Sequence, residues 1–230
     1  MSLKTKLASG EVALMVNPNH PSPSLTEFIA SQGFDAIFID CEHGMAGPER
    51  VQDMCRAARV AGIDTIVRPE ANHDWLITRY LDAGAKGMMV PMIETAEQAQ
   101  QLVDTVEYAL GAKAEAITKI IMIESLKAIN NLPELLAVKG IDIFFIGPAD
   151  LAKSLGMPGK KFHPDVKRYV FEAARLIVKA GRYAGTSVNK DIAQDYVDAG
   201  FRFIYEHANA MFASGAKEFQ QSFALKNKLG

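Results

Sequence analysis

Among 230 residues there are two cysteines, one tryptophan, no long apolar run and almost no net charge. The cysteines, Cys41 and Cys55, fit no metal-ligand spacing and read as buried free thiols. No apolar stretch approaches the roughly 20 residues of a membrane-spanning helix. A net charge of −2 offers no basic face for nucleic acid. Residues 1–10 carry Lys4 and Lys6 but no apolar core of a signal peptide, so the expected compartment is the cytoplasm. No Gly-x-Gly-x-x-Gly follows the first apolar run and no Gly-x-x-x-x-Gly-Lys-Ser/Thr loop occurs, which removes two common nucleotide cradles. No linker or low-complexity segment divides residues 1–230, which read as a single domain.

What is present is a repeated unit: a short apolar run, a polar turn, then an amphipathic stretch. The runs at residues 11–16, 36–40, 64–67, 87–90, 116–123, 141–146, 183–186 and 201–205 are the expected strands. Expected helices run from a cap at Ser22 or Ser24 to Gly33, from Pro48 to Gly62, over 74–83, and from a Thr95–Gln98 capping box to 110. A short helix ends before Gly140, and a looser stretch holds Gly156, Pro158 and Gly159. Helices over 164–180, 192–199 and 208–228 complete the set. Eight strand–helix units in unbroken order point to an α/β fold, a (β/α)8 TIM barrel. The competitor is an open doubly wound sheet, which also alternates strands and helices.

In such barrels the active site lies at the C-terminal ends of the strands. There the sequence places Asp40, Glu42 and His43 after the second strand, Arg68 after the third, Glu124 after the fifth and Asp150 after the sixth. Glu124 and Asp150 suit a clamp on a hard divalent cation such as magnesium; alternatively Asp150 caps the next helix and Glu124 pairs with a lysine. Arg68, held extended by Pro69, suits capture of a carboxylate or of a developing oxyanion, or else a structural pair with Glu42 or Glu70. His43 is a candidate general acid or base, a metal ligand or a hydrogen-bonded turn residue. His207, after the eighth strand, faces the same end. Trp75 is expected to pack at the start of its helix.

The residues Gly33, Phe34 and Asp35, the run Phe38-Ile-Asp-Cys-Glu-His-Gly44, Val-Arg-Pro at 67–69, Leu-Asp-Ala-Gly at 81–84, Val-Pro-Met at 90–92, Ile-Glu-Ser at 123–125 and Phe-Ile-Gly-Pro-Ala-Asp-Leu at 145–151 together resemble the HpcH/HpaI family of class II pyruvate aldolases, within the phosphoenolpyruvate/pyruvate barrel superfamily. The resemblance implies that Glu124 and Asp150 bind Mg2+, Mn2+ or Co2+. It implies that Arg68 holds the pyruvate oxygens, and that His43, polarised by Asp40 or Asp82, is the acid/base group. The backbone at Gly147, Pro148 and Ala149 would receive the pyruvate carboxylate. It further implies a homo-oligomer, trimer or hexamer, with the last helix exchanged between subunits. The family's Pro-Pro-x-Gly-x-Arg-Gly segment before the fifth strand has no counterpart here, and Met122 stands where a glutamine is usual.

The expected activity is metal-dependent cleavage of a 4-hydroxy-2-oxo acid to pyruvate and an aldehyde through a stabilised enolate. The small 2-oxo acid is the expected partner, with neither nucleic acid nor membrane. Oxaloacetate decarboxylation, another enolpyruvate-forming reaction, or oxo-acid binding by a non-catalytic oligomer are the alternatives.

Overall fold

The computed structural model describes residues 1–224. It resolves the apolar runs into strands β1 (Ala13–Asn17), β2 (Ala36–Asp40), β3 (Asp64–Arg68), β4 (Gly87–Val90), β5 (Thr118–Ile123), β6 (Ile143–Ile146), β7 (Tyr183–Ser187) and β8 (Phe201–His207). All pair in parallel and in sequence order, and β8 returns to β1 with Tyr205 opposite Met15, so the sheet is a closed barrel and the open-sheet alternative is excluded. The helices are α1 (Leu3–Ala8), α2 (Pro23–Ser31), α3 (Pro48–Ala61), α4 (Asp74–Asp82), α5 (Ala96–Leu110), α6 (Leu126–Asn130), α7 (Leu132–Ala137), α8 (Pro148–Ser154), α9 (Pro164–Lys179), α10 (Ala193–Asp198) and α11 (Ala208–Ala224). Residues 225–228 of the expected closing helix lie outside the described residues. No described helix is long and apolar enough to cross a membrane.

The strands read as nearly unbroken apolar runs because both faces are buried. Successive side chains alternate, so one set, including Met15, Phe38, Ile66, Met122, Phe145 and Tyr205, fills the barrel interior. The other set packs outward against the helices, as Ile37, Val67, Ile121 and Phe144 do.

Local chemistry fixes the helix ends. Ser22, not Ser24, caps α2, and Pro23 takes the first helical position, where a missing N–H costs nothing. Gly62 ends α3 at φ +79°, a conformation open to glycine. Thr95 and Gln98 form the expected capping box. Two expectations are corrected here. The single helix after β5 is two, α6 and α7, because Pro133 enters the first turn of the second and cannot continue the first. The looser stretch after β6 begins with α8. Strands β5 and β6 also start two residues later than the apolar run suggests. Residues 111–116 form a 3-10 turn, and Asp142, just before β6, donates its N–H to the Lys119 carbonyl while its carboxylate accepts the Lys119 N–H.

Helix α1 was not expected from the sequence. Leu3 and Leu7 plug the N-terminal end of the barrel, both almost wholly buried. The acids at the strand starts hold it there. Asp35 pairs with Lys6 at 2.7 Å, Asp142 with Lys4 at 2.9 Å, and Asp64 accepts the Leu3 N–H at 2.8 Å. Trp75 is also corrected: it is 58% exposed, with the Arg79 guanidinium 4.9 Å above its ring.

Candidate active site

The period of two along each strand carries the interior face up to the C-terminal rim. Continuing the inward positions brings Asn17 after Ala13 and Met15, Asp40 after Phe38, Arg68 after Ile66, Glu124 after Met122, Gly147 after Phe145, and His207 after Tyr205. Register aligns them further, since Asp40 lies opposite Arg68 and Asn17 opposite His207. The polar groups gathered at one end therefore share one mouth.

Arg68 is the centre of that mouth. Its Nε donates to Asp40 Oδ1 at 2.9 Å and its Nη2 to Asp40 Oδ2 at 2.7 Å, a two-pronged grip. Its Nη1 lies 3.0 Å from Glu42 Oε2 and otherwise meets only the weak acceptor sulfur of Met122, at 3.9 Å. Burial pushes the Asp40 carboxyl up, but the bonds from Arg68 and from the His43 and Glu42 N–H groups prevail and hold it below the usual range. Asp40 fixes the fork, and one N–H of Nη1 meets only the weakly accepting Met122 sulfur. Glu70 does not join it. Its carboxylate accepts the Tyr80 hydroxyl at 2.9 Å.

His43 is 68% exposed, and its ring lies beside Glu42, 3.9 Å from Nε2 to Oε2. This changes the expected partners. Both oxygens of Asp40 are engaged by Arg68, and Asp40 touches His43 through the backbone N–H, not the ring. Asp82 is the last residue of α4, exposed, on the turn that leads to the start of β4 at the far end of the barrel. Within one chain it does not polarise His43. The acid that does face the imidazole is Glu42, whose own carboxyl is raised by burial in spite of Arg68. The sequence placed Glu42 in this loop without giving it that role.

Glu124 is only 3% exposed. Its Oε1 accepts the Met92 N–H at 2.7 Å. Among the described residues no side chain donates to either oxygen, and no lysine pairs with it; Lys127 goes to Glu94 instead. Burial pushes the Glu124 carboxyl up to about 7, the Met92 N–H opposes this, and the nearby Asp150 and Glu42 add to it. A buried carboxylate facing other carboxylates is an arrangement that a cation would relieve. Asp150, in the first turn of α8, completes the pair. The donor set fits a hard divalent ion held by two protein oxygens, with substrate and water oxygens filling the remaining positions. The described residues contain no group of three or more His, Cys, Asp or Glu placed to ligate a metal. Met92 itself sits at φ +54°, a strained position that aims its N–H at Glu124.

The expected anion cradle at Gly147, Pro148 and Ala149 is narrower than supposed. The Gly147 N–H bonds to the Ile123 carbonyl at 3.1 Å, and Pro148 has none. Among the described residues, the N–H groups of Ala149 and Asp150, in the first turn of α8, have no partner. Gly147 matters for its missing side chain, since a Cβ there would stand 2.9 Å from Glu124 Oε2.

A second polar wall, across β8 and β1, was legible only in His207. The His207 ring meets Asn19 Nδ2 at 2.9 Å through Nδ1 and the Tyr205 hydroxyl at 3.1 Å through Nε2. The buried Asn17 amide also donates to Tyr205, at 3.1 Å. Asparagines are common in turns, so a turn-rich Asn17-Pro-Asn19 carried no distinguishing signal.

The family model for HpcH/HpaI aldolase/citrate lyase matches residues 14–215. A 2-keto-3-deoxy-L-rhamnonate aldolase of Escherichia coli is 32% identical over 254 residues, covering 99% of this chain and 94% of that one. That alignment is longer than the 230-residue chain, so the relative carries stretches with no counterpart here. A crystal structure of a HpcH/HpaI aldolase/citrate lyase family protein from Burkholderia cenocepacia superposes with a TM-score of 0.88 at 28% identity, over 96% of this chain and 98% of that one. The citrate synthase SbnG gives the same TM-score at 25% identity, over 98% and 99%.

Proposed function

The chain belongs to the HpcH/HpaI aldolase/citrate lyase family, and from the mouth of its barrel we propose that it is a metal-dependent carbon–carbon lyase cleaving a 4-hydroxy-2-oxo acid to pyruvate and an aldehyde. The observation that carries this reading is Glu124: a buried carboxylate near Asp150 and the Arg68 fork that, among the described residues, forms no salt bridge. Glu124 and Asp150 are the residues that would hold magnesium, manganese or cobalt, and such an ion when bound supplies Lewis acidity to the keto oxygen.

The chain's own groups supply the rest. Arg68, oriented by Asp40, offers an Nη1 N–H to the oxygen that gains negative charge as the bond between C3 and C4 breaks. The N–H groups of Ala149 and Asp150 at the start of α8 receive the substrate carboxylate. His43, with Glu42 beside its ring, takes the proton from the C4 hydroxyl. The aldehyde then leaves, and the electron pair of the broken bond passes into the pyruvate enolate, which is protonated at carbon. Asp82 can reach a His43 only on a second subunit, so any catalytic part for it depends on assembly.

Assembly itself belongs to this reading. Phe212 is 78% and Phe219 67% exposed on α11, and an almost wholly apolar cavity of about 390 Å3 opens between this helix and Leu14, Phe34 and Ile204 of the barrel. A homo-oligomer, trimer or hexamer, that exchanges α11 would cover both. The cytoplasm suits an enzyme with two buried free thiols.

A second reading, oxaloacetate decarboxylation, is favoured by one feature. The exposed His43 is the weakest-held member of the site, and loss of carbon dioxide requires no base. The deciding experiment is exchange of pyruvate methyl protons for deuterium, followed by NMR with and without magnesium or manganese. Metal-dependent exchange that is lost in Arg68→Ala supports an enolate-forming enzyme; no exchange with any metal overturns the reading. Product analysis on 4-hydroxy-2-oxo acids and oxaloacetate separates the two reactions.

A further inference from the structure

The turn from β4 to α5 holds Met92, half-exposed, at φ +54°, where residues other than glycine are uncommon. That conformation brings its N–H to Glu124 Oε1, at 2.7 Å. Strain of this kind persists only where the surroundings over-determine it. Val90, the last residue of β4, is locked opposite Ile121, and Ile93 is wholly buried. Glu94 then anchors the far side of the turn. Its N–H donates to Gln98 Oε1 at 2.7 Å, and its carbonyl accepts Asn131 Nδ2 at 2.8 Å. Its carboxylate crosses to Ser125, the residue that follows Glu124. Ser125 Oγ already accepts the Ala128 N–H at 3.1 Å as the cap of α6, so its own proton goes to Glu94 Oε1, 2.6 Å away. Glu94 Oε2 also meets Lys127 Nζ at 3.0 Å, but that lysine is exposed and such a pair adds little. The same turn is tied to α8, the helix of Asp150, because the Leu126 N–H donates to Ser154 Oγ at 2.9 Å.

We propose that Glu94 is a positioning residue for the divalent-ion site: by holding Ser125 it clips the β4–α5 turn to the end of β5, and so keeps the Met92 N–H on the Glu124 carboxylate. The inference rests on the metal-dependent reading above and deepens it. With Oε1 held by the Met92 N–H, the Glu124 carboxylate keeps one orientation, its Oε2 on the side of Gly147. Release of the clip lets Met92 relax out of the left-handed region and turns its N–H away. A carboxylate that is free to rotate then binds an ion less tightly, since the groups that orient a ligand set much of its affinity.

The test compares the wild type with Glu94→Ala and with Glu94→Gln, whose amide oxygen can still accept the Ser125 proton. Manganese affinity is measured by calorimetry. On metal-free protein, NMR follows amide hydrogen exchange at Met92 against Asp142, whose N–H bonds to the Lys119 carbonyl at the opposite end of the barrel. A general loss of stability speeds both amides, so the ratio of their rates reports the clip alone. In Glu94→Ala, manganese should bind roughly tenfold more weakly, the usual cost of losing a group that orients a metal ligand. The exchange ratio should rise by a similar factor, and Glu94→Gln should keep most of both. An affinity or a ratio that does not move in Glu94→Ala overturns the proposal, and so does a glutamine variant as impaired as the alanine one. A wild type that binds manganese yet exchanges no pyruvate protons overturns the lyase reading alone; one that binds no divalent ion overturns both.

Discussion

A methyl group on residue 147 would meet Glu124 Oε2 at 2.9 Å, closer than carbon and oxygen tolerate. Gly147→Ala should therefore displace the Glu124 carboxylate. Manganese affinity, followed by calorimetry, is expected to fall at least tenfold while the circular dichroism of the barrel is kept. Arg68→Lys retains a charge but loses the fork that grips Asp40, and kcat/KM for cleavage should drop by roughly 10²- to 10³-fold. Glu124 also predicts a pH dependence. Its folded pKa, about 7, lies above its unfolded value of 4.5, so the folded protein binds the extra proton between these limits. Chelator-treated protein should lose stability on the order of 3 kcal/mol as pH rises from about 4.5 to about 7, then level off. Manganese affinity should climb over the same window, since the ion binds the ionised form. Denaturant midpoints across pH measure the first effect. In Glu124→Gln both slopes should shrink markedly.

At the scale of elements, the sequence showed strands and caps because each rests on local chemistry: Thr95 with Gln98, Pro23 after Ser22, Gly62 after α3. Thr95→Ala should cost about 1 kcal/mol in thermal unfolding, with specific activity retained. Helix α1 escaped notice because six residues have no propensity to fold alone and its partners are distant in the chain. Leu3 and Leu7 look ordinary until the barrel places Asp35, Asp64 and Asp142 beneath them. Leu7→Ala should destabilise by roughly 2–5 kcal/mol, read as a lower denaturant midpoint, because it opens a cavity in the closed end.

For the whole molecule, α11 presents Phe212, Phe219 and Phe223 to solvent, an unusual amount of aromatic surface for one helix. Light scattering should find a mass that is a multiple of 25.1 kDa. The double variant Phe212→Asp/Phe219→Asp should shift it to a smaller species. If Asp82 acts across subunits, that smaller species should also lose activity.

The amino-acid sequence by itself determined the alternation that makes a barrel and the placing of Asp40, Arg68, Glu124 and Asp150 at the C-terminal ends of its strands. These follow from periodicity and from the cost of burying charge, which confines ionisable residues to strand ends. Only the tertiary structure decided who faces whom. Arg68 takes Asp40 and Glu42, not Glu70; His43 stands by Glu42; Asp82 lies at the opposite end; and Gly147 serves by what it lacks. Those pairings join residues far apart in the chain, or depend on which of two oxygens is free. Such distances are set by strand register and closure of the sheet, which no local window of sequence contains.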